Sequence, residues 1–254
     1  MDLPQRFSAA YDFPLDDFQR AGIAAVAADR SVLVAAPTGA GKTVVGEYAV
    51  WQALQRGGKC FYTTPIKALS NQKFADLSRR HGPARVGLLT GDNAVNGDAP
   101  VVVMTTEVLR NMLYEGSRAL VGLHAVVLDE VHYLADRERG AVWEEVIVQL
   151  PSTVALACLS ATVSNAEEFG RWLRRVRESC EVVISERRPV PLEHSYAVNG
   201  RMLPTFVAAG GPSGRRRRGS DVQTARQARG GRPNPEVLML ERRAAVRVNR
   251  RGRR

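Results

Sequence analysis

Apolar residues recur along the chain in short runs, each followed by small and polar residues and then by a longer stretch with helical spacing. In Ser31 to Thr43, SVLVAAPTGAGKT, the run Val32, Leu33, Val34, Ala35 and Ala36 suits a strand buried on both faces. VVGEYAVWQALQRG then aligns Val45, Tyr48, Ala49, Ala53 and Leu54 in one apolar stripe and ends at Gly57-Gly58, which predicts a helix. Upstream, Pro14 followed by Asp16 or Asp17 marks the start of a helix that continues through AAVAADR. KCFYTT reads as the next strand, and TTPIKALSNQKFADLSRRHG opens a helix with Pro65 near its first turn. The alternation continues through VGLLTGDN, PVVVMTTEVLRNML, HAVVLDEVHYL, WEEVIVQLP, VALACLSATVSNAEEFGRWL and EVVISERRPVPLEHSYAV, with Ser164 and Glu167 spaced as a capping box. Strands alternating with helices predict an α/β fold with a mainly parallel sheet flanked by helices.

In such sheets chemistry collects at the carboxyl ends of the strands, and here TGAGKT, TTPIK, TGD, TTE, DEVH and SAT each follow an apolar run. The first of these has the residues of a phosphate cradle. Gly39 and Gly41 permit a tight backbone whose N–H groups converge on phosphate oxygens, at the positive end of the helix that follows. Lys42 is placed to reach the outer phosphates and Thr43 to offer its hydroxyl to Mg²⁺. Ala36 stands where the GxxxxGK(S/T) pattern has its first glycine. The second decisive cluster is Asp129 to His132, where a strand delivers Asp129 as a Mg²⁺ ligand and Glu130 as a base for an attacking water. Beside a phosphate loop, Gln19 offers the paired donor and acceptor that an adenine edge requires, and Phe13 a stacking surface.

Composition sharpens the picture in one respect. The chain carries 36 Lys and Arg against 26 Asp and Glu, but the excess is confined to the end: from Arg201 onward there are 15 arginines, no lysine and three acids. The Gly, Pro and Arg content of that stretch predicts a disordered tail. Cys60, Cys158 and Cys180 have no C-x-x-C spacing, which suits a reducing compartment. No signal-peptide stretch or run of membrane-spanning length is visible, so the expected location is the cytoplasm.

APTGAGKT, TTPIKALSNQK, LLTGD, TTEVLRNML, LDEVHYLADRERGAVWEE and LSATVSNAEEFGRWL, taken in order, resemble the motifs of the superfamily 2 DExH-box RNA helicases. Within these the likeness is to the superkiller and Mtr-type group and its actinobacterial HelY type, over about residues 7 to 208. The resemblance implies a first RecA-like ATP-binding domain at 1–200, acting on ATP and Mg²⁺, with the tail at 201–254. It implies adenine recognition by Phe13 and Gln19, phosphate binding by Thr38, Gly39, Ala40, Gly41 and Lys42, Mg²⁺ ligation by Thr43 and Asp129, and catalysis by Glu130 with Asp129 and Lys42. Pro65, Lys67, Gly91, Asp92, Thr105 and Thr106 match backbone-contacting motifs for single-stranded nucleic acid, with RNA favoured over DNA. His132, Ser160 and Thr162 match residues that couple nucleotide state to strand movement.

The family works by closing a second RecA-like domain over the first, and no further series of apolar strands and helices follows Val198. The expectation is therefore a truncated chain that is weakly active alone, with a second RecA-like domain acting in trans as one way to complete it. Arginine without lysine is what a GC-rich gene read out of frame tends to produce, and an interrupted gene is the favoured account of the tail over an evolved RNA tether. A nucleotide-dependent RNA-binding module without catalysis and a related DNA helicase stay open as alternatives. A P-loop kinase or transporter ATPase has no use for TTPIKALSNQK and SAT.

Overall fold

The computed structural model describes residues 2–136, 139–161, 166–190, 192–198, 201–207 and 232–240. It divides into two compact units, Met1–Arg188 and Pro189–Arg254.

The first unit is built on strands β1 (Ser31–Ala35), β2 (Lys59–Thr64), β3 (Val86–Thr90), β4 (Asn93–Val95), β5 (Val101–Thr105), β6 (Leu123–Leu128), β7 (Ala155–Ser160) and β8 (Cys180–Ile184). They form one sheet in the order β4-β3-β5-β2-β6-β7-β1-β8. Every pairing is parallel except the edge hairpin β3–β4. The expected α/β architecture with a mainly parallel sheet is thus the observed one.

Its strands read as continuous apolar runs because both faces are covered. Side chains alternate between two cores. Val32, Val34, Cys60, Tyr62, Val101, Val103, Val127 and Leu159 join one cluster, and Leu33, Phe61, Val102, Met104, Val126, Leu128 and Cys158 the other. The first core is capped by α1 (Leu3–Ser8), α2 (Asp17–Ala27), α3 (Thr43–Gln55) and α4 (Lys67–His81), through residues such as Phe7, Ile23, Tyr48 and Leu77. The second is capped by α5 (Thr106–Tyr114), α6 (Gly140–Gln149) and α7 (Ala166–Val176), through Leu109, Trp143, Ile147 and Leu173.

Helix α2 starts as its sequence requires: Asp16 caps it while the Gln19 side chain reaches back to the Asp16 backbone, a reciprocal capping box. Helix α3 lies close on the sheet because Gly46 has no side chain. A Cβ there would meet Val127, Leu159 and Tyr62 at 3.0 to 3.3 Å.

In the second unit, β9 (Ser195–Val198) pairs antiparallel with β10 (Arg201–Pro204), and β11 (Phe206–Val207) with β12 (Arg232–Pro233). Of the stretch read as a tail, 201–207 and 232–240 are thus described, and the remainder lies outside the described residues, as does the Ser164 of the expected capping box. No helix among the described residues is long and apolar enough to cross a membrane. Cys60, Cys158 and Cys180 are free thiols, and burial pushes all three thiols above their ordinary range, Cys180 to about 11.

Candidate nucleotide and nucleic-acid sites

Strand β1 ends at Ala35 and the chain turns through Gly39 and Gly41, with φ of +83° and +87°, into α3. These are left-handed conformations that glycine adopts without steric cost. At Gly41 an added Cβ would also stand 2.7 Å from Nε2 of Gln19, so that the Gln19 amide would have to shift. Thr38 and Gly39 are exposed at the turn and Ala40 is buried beneath it.

Lys42 is 8% exposed, and its Nζ donates to the carbonyls of Ala36 at 2.9 Å and Pro37 at 3.3 Å. Burial lowers its pKa, while the negative charges of Glu130 and then Asp129 act in the opposite sense. The lysine at the tip of β1 and the carboxylates beyond β6 therefore share one electrostatic environment, with only β7 between their strands.

Asp129 is fixed from three sides. Its backbone N–H donates to the carbonyl of Thr63 at 3.0 Å, its Oδ2 accepts from the Tyr62 hydroxyl at 2.8 Å, and its Oδ1 accepts from the Glu130 N–H at 3.0 Å. Glu130 adopts a left-handed backbone (φ 54°, ψ 41°), a conformation that costs a non-glycine residue free energy and clusters at functional sites. The turn throws its carboxylate toward His132, whose Nδ1 lies 3.3 Å from Oε2 of Glu130. The same Nδ1 lies 3.4 Å from the backbone N of Ala161, just beyond Ser160 at the end of β7. One ring nitrogen cannot both accept from Ala161 and donate to Glu130, so the imidazole faces two alternative partners. Ser160 is buried and its hydroxyl donates to the Ala161 carbonyl; Thr162 lies outside the described residues.

Thr43 begins α3 and is half-buried. Thr43 and Asp129 offer hard oxygen donors, the chemistry Mg²⁺ requires when phosphates and waters complete its shell. Gln19 is buried, with its amide oxygen on the α2 cap and its Nε2 donating to the Gly41 carbonyl at 3.0 Å. It is thus wired to the loop that carries Lys42. Phe13 is 54% exposed, held edge-on against Tyr11 with ring centroids 5.3 Å apart.

A concavity of about 600 Å³ opens at the same end of the sheet and is lined by Pro65, Lys67, Gly91, Thr105, Glu107 and Arg139 among others. It gathers four of the six residues expected to hold a nucleic-acid backbone. Asp92 stands beside it in an ion pair with Lys67 (Oδ1 to Nζ 2.9 Å), and this hydrogen bond holds the Asp92 carboxyl below its ordinary range. Thr106 is fully buried, its hydroxyl 3.5 Å from the Thr64 carbonyl, and is not among the residues that line the cavity. Tyr62, Glu107 and Arg139 carry contacts that the sequence reading did not single out. Arg139 sits in the ADRERG segment two residues beyond the DEVH cluster, a charge run whose pattern does not name a partner.

The chain is 63% identical over 201 residues to the probable helicase HelY of Mycobacterium leprae (strain TN), covering 79% of this chain and 22% of that protein. It is 50% identical over 191 residues to the ATP-dependent RNA helicase mtr4 of Schizosaccharomyces pombe, covering 75% of this chain and 17% of mtr4. It therefore spans about a fifth of the length of these curated relatives. Among solved structures, the Mycobacterium smegmatis helicase Lhr bound to ssDNA and AMP-PNP aligns with a TM-score of 0.59 at 28% identity, over 75% of this chain and 29% of that one. The model of the DEAD/DEAH box helicases matches residues 16–169, more than half of the sequence, and the chain belongs to the DEAD/DEAH box helicase family.

Proposed function

We propose that this chain supplies the first RecA-like domain, residues 1–200, of an ATP-dependent RNA helicase. The observation that carries the reading is the shared electrostatic environment of Lys42, Asp129 and Glu130 beyond the tips of β1 and β6, with only β7 between them and an open groove at the same end of the sheet. In this reading the turn Thr38–Lys42 binds the triphosphate through backbone N–H groups and the Lys42 ammonium. Thr43 and Asp129 would hold Mg²⁺, which when bound neutralises charge on the phosphate oxygens. Glu130 accepts the proton of the attacking water, and Phe13 and Gln19 receive the adenine.

The groove residues Pro65, Lys67, Gly91 and Thr105 contact sugar and phosphate, with Asp92 and Thr106 shaping the loops from behind. Contacts of this type hold a strand without reading its bases. His132, Ser160 and Thr162 relay nucleotide state. Arginines from a second RecA-like domain, in this polypeptide or in trans, complete the charge stabilisation, and their absence costs on the order of 10³ to 10⁵ in rate. The 254 residues alone are accordingly expected to bind ATP and turn it over slowly, in the cytoplasm.

The name of mtr4 supports RNA as the ligand, while the ssDNA in the Lhr structure supports DNA as the rival. Competition of unlabelled single-stranded RNA and DNA against a fluorescent RNA oligonucleotide separates them: equal competition defeats the RNA preference. For the nucleotide site, Lys42→Ala is expected to abolish binding of a fluorescent ATP analogue with the nucleotide-free melt little changed. Retained binding would remove the ATPase reading.

A further inference from the structure

Arg139 joins parts of the molecule far apart in sequence. Its guanidinium donates to the Pro65 carbonyl at 2.6 Å and pairs with the Glu107 carboxylate, the Nε–Oε1 contact being 3.1 Å. Both partners line the groove. Two consequences follow for a strand lying there. The Pro65 loop is anchored at the entry to α4, and the negative charge of Glu107, which would otherwise repel phosphates, is neutralised in place. Arg suits this better than Lys, because the donors of its planar guanidinium are fixed relative to one another and reach both acceptors from separate nitrogens.

Arg139 also packs inward, onto the second core. Its guanidinium stands 5.9 Å over the fully buried ring of Trp143. Trp143 stacks on Tyr133 with centroids 6.0 Å apart, Tyr133 meets His132 at 5.3 Å, and His132 approaches Glu130. Packed side chains thus run without a gap from the carboxylate turn to the groove. The imidazole at the head of the series can bond either Glu130 or the Ala161 N–H through the same nitrogen but not both, and this either-or contact is where a change at the nucleotide site would act on the series.

We propose that Arg139 is a positioning residue for the nucleic-acid groove and the groove end of a ladder, His132–Tyr133–Trp143–Arg139, through which each site senses occupancy of the other. The proposal rests on the reading of the groove given above. The test uses the full chain with a fluorescent single-stranded RNA oligonucleotide and a fluorescent ATP analogue with Mg²⁺. Two quantities are read: the oligonucleotide Kd, and the factor by which the oligonucleotide tightens nucleotide binding, expected to be about fivefold or more in the unmodified chain.

Arg139→Gln should weaken oligonucleotide binding about fivefold, the weight of a hydrogen bond lost, and bring the coupling factor close to one. Arg139→Lys, which retains the charge but replaces the rigid planar fork by a shorter, flexible point donor, should fall between. Tyr133→Leu cuts the ladder away from the groove, and should lose the coupling while oligonucleotide affinity stays near that of the unmodified chain. If the unmodified chain binds no oligonucleotide, the functional reading falls and takes this proposal with it. If it binds and Arg139→Gln changes neither quantity, the proposal alone falls. Weakened affinity with coupling intact would make Arg139 a direct phosphate contact and also overturn it.

Discussion

Single hydrogen bonds decide how well the carboxylate cluster is held. The Tyr62 hydroxyl is the one side-chain donor described on Asp129, and the ring is fully buried, so the pKa of Tyr62 is pushed well above its ordinary value and the group stays a donor. Tyr62→Phe deletes that bond without changing shape. The expected cost is about 2 kcal/mol of stability, typical of a bond to a charged acceptor. Mg²⁺-dependent nucleotide affinity should fall on the order of tenfold, as happens when an outer partner of a metal ligand is removed. Calorimetric titration with and without Mg²⁺ checks it, since a loss of equal size in both would mean that Asp129 is not the affected group. His81 offers a pH test. Burial, then the charges of Arg80 and Arg85, lower its pKa, and its Nε2 is buried without a hydrogen-bond partner. The unfolded chain therefore binds this proton more readily than the folded one, and stability is lost as pH falls through the ordinary imidazole range, about 6.5, toward the folded value. In His81→Gln the fall in melting temperature over that range should shrink; an unchanged fall assigns it to other groups. Lys42 and Asp129 were legible in the sequence because each belongs to a local pattern whose spacing states its chemistry. Tyr62 and Arg139 were not, because their contacts join residues 67 and 74 positions apart and exist only once β2 lies beside β6 and α6 follows.

Elements bring those residues into register, and the same logic explains which of them could be read in advance. β1, β2, β5, β6 and β7 are covered on both faces, so their apolar runs stand out against any neighbour. β4 is three residues long, exposed throughout and antiparallel at the edge, so nothing in Asn93-Ala94-Val95 distinguishes it from the loop around it. Helix α3 shows what pattern alone conceals. Its apolar stripe announces a helix, but not how near the helix lies to the sheet, which is set by Gly46 against Val127, Leu159 and Tyr62. That closeness also sets where the turn Thr38–Lys42 stands at the N-terminus of the helix. Gly46→Val should overpack the interface and cost roughly 1 to 3 kcal/mol. Because the displaced helix carries Thr43 and follows Lys42, nucleotide affinity should fall in the same variant. A chemical-denaturation midpoint as high as that of the unmodified chain would show that the contact can relax.

At the scale of the whole molecule, charge and site belong to different parts of the sequence. Residues 201–254 carry 15 arginines and three acids, whereas the preceding 200 residues carry 21 basic and 23 acidic side chains. The groove itself has little free charge to offer a phosphate backbone, since Lys67 is paired with Asp92 and Arg139 with Glu107. Affinity arising there must come from hydrogen bonds, backbone N–H groups and shape, and should depend weakly on salt. An arginine-dense stretch behaves in the opposite way whatever its origin in the gene, because each phosphate it neutralises releases a counterion and steepens the salt dependence by about 0.7 per contact on a single strand. A chain ended at residue 200 should therefore keep nucleotide binding and retain oligonucleotide binding at high salt, while losing most of the slope of log Kd against log salt concentration. Equal slopes for the two lengths would place the electrostatic contacts within residues 1–200, and the ion pairs Lys67–Asp92 and Arg139–Glu107 would then have to open when a strand enters the groove.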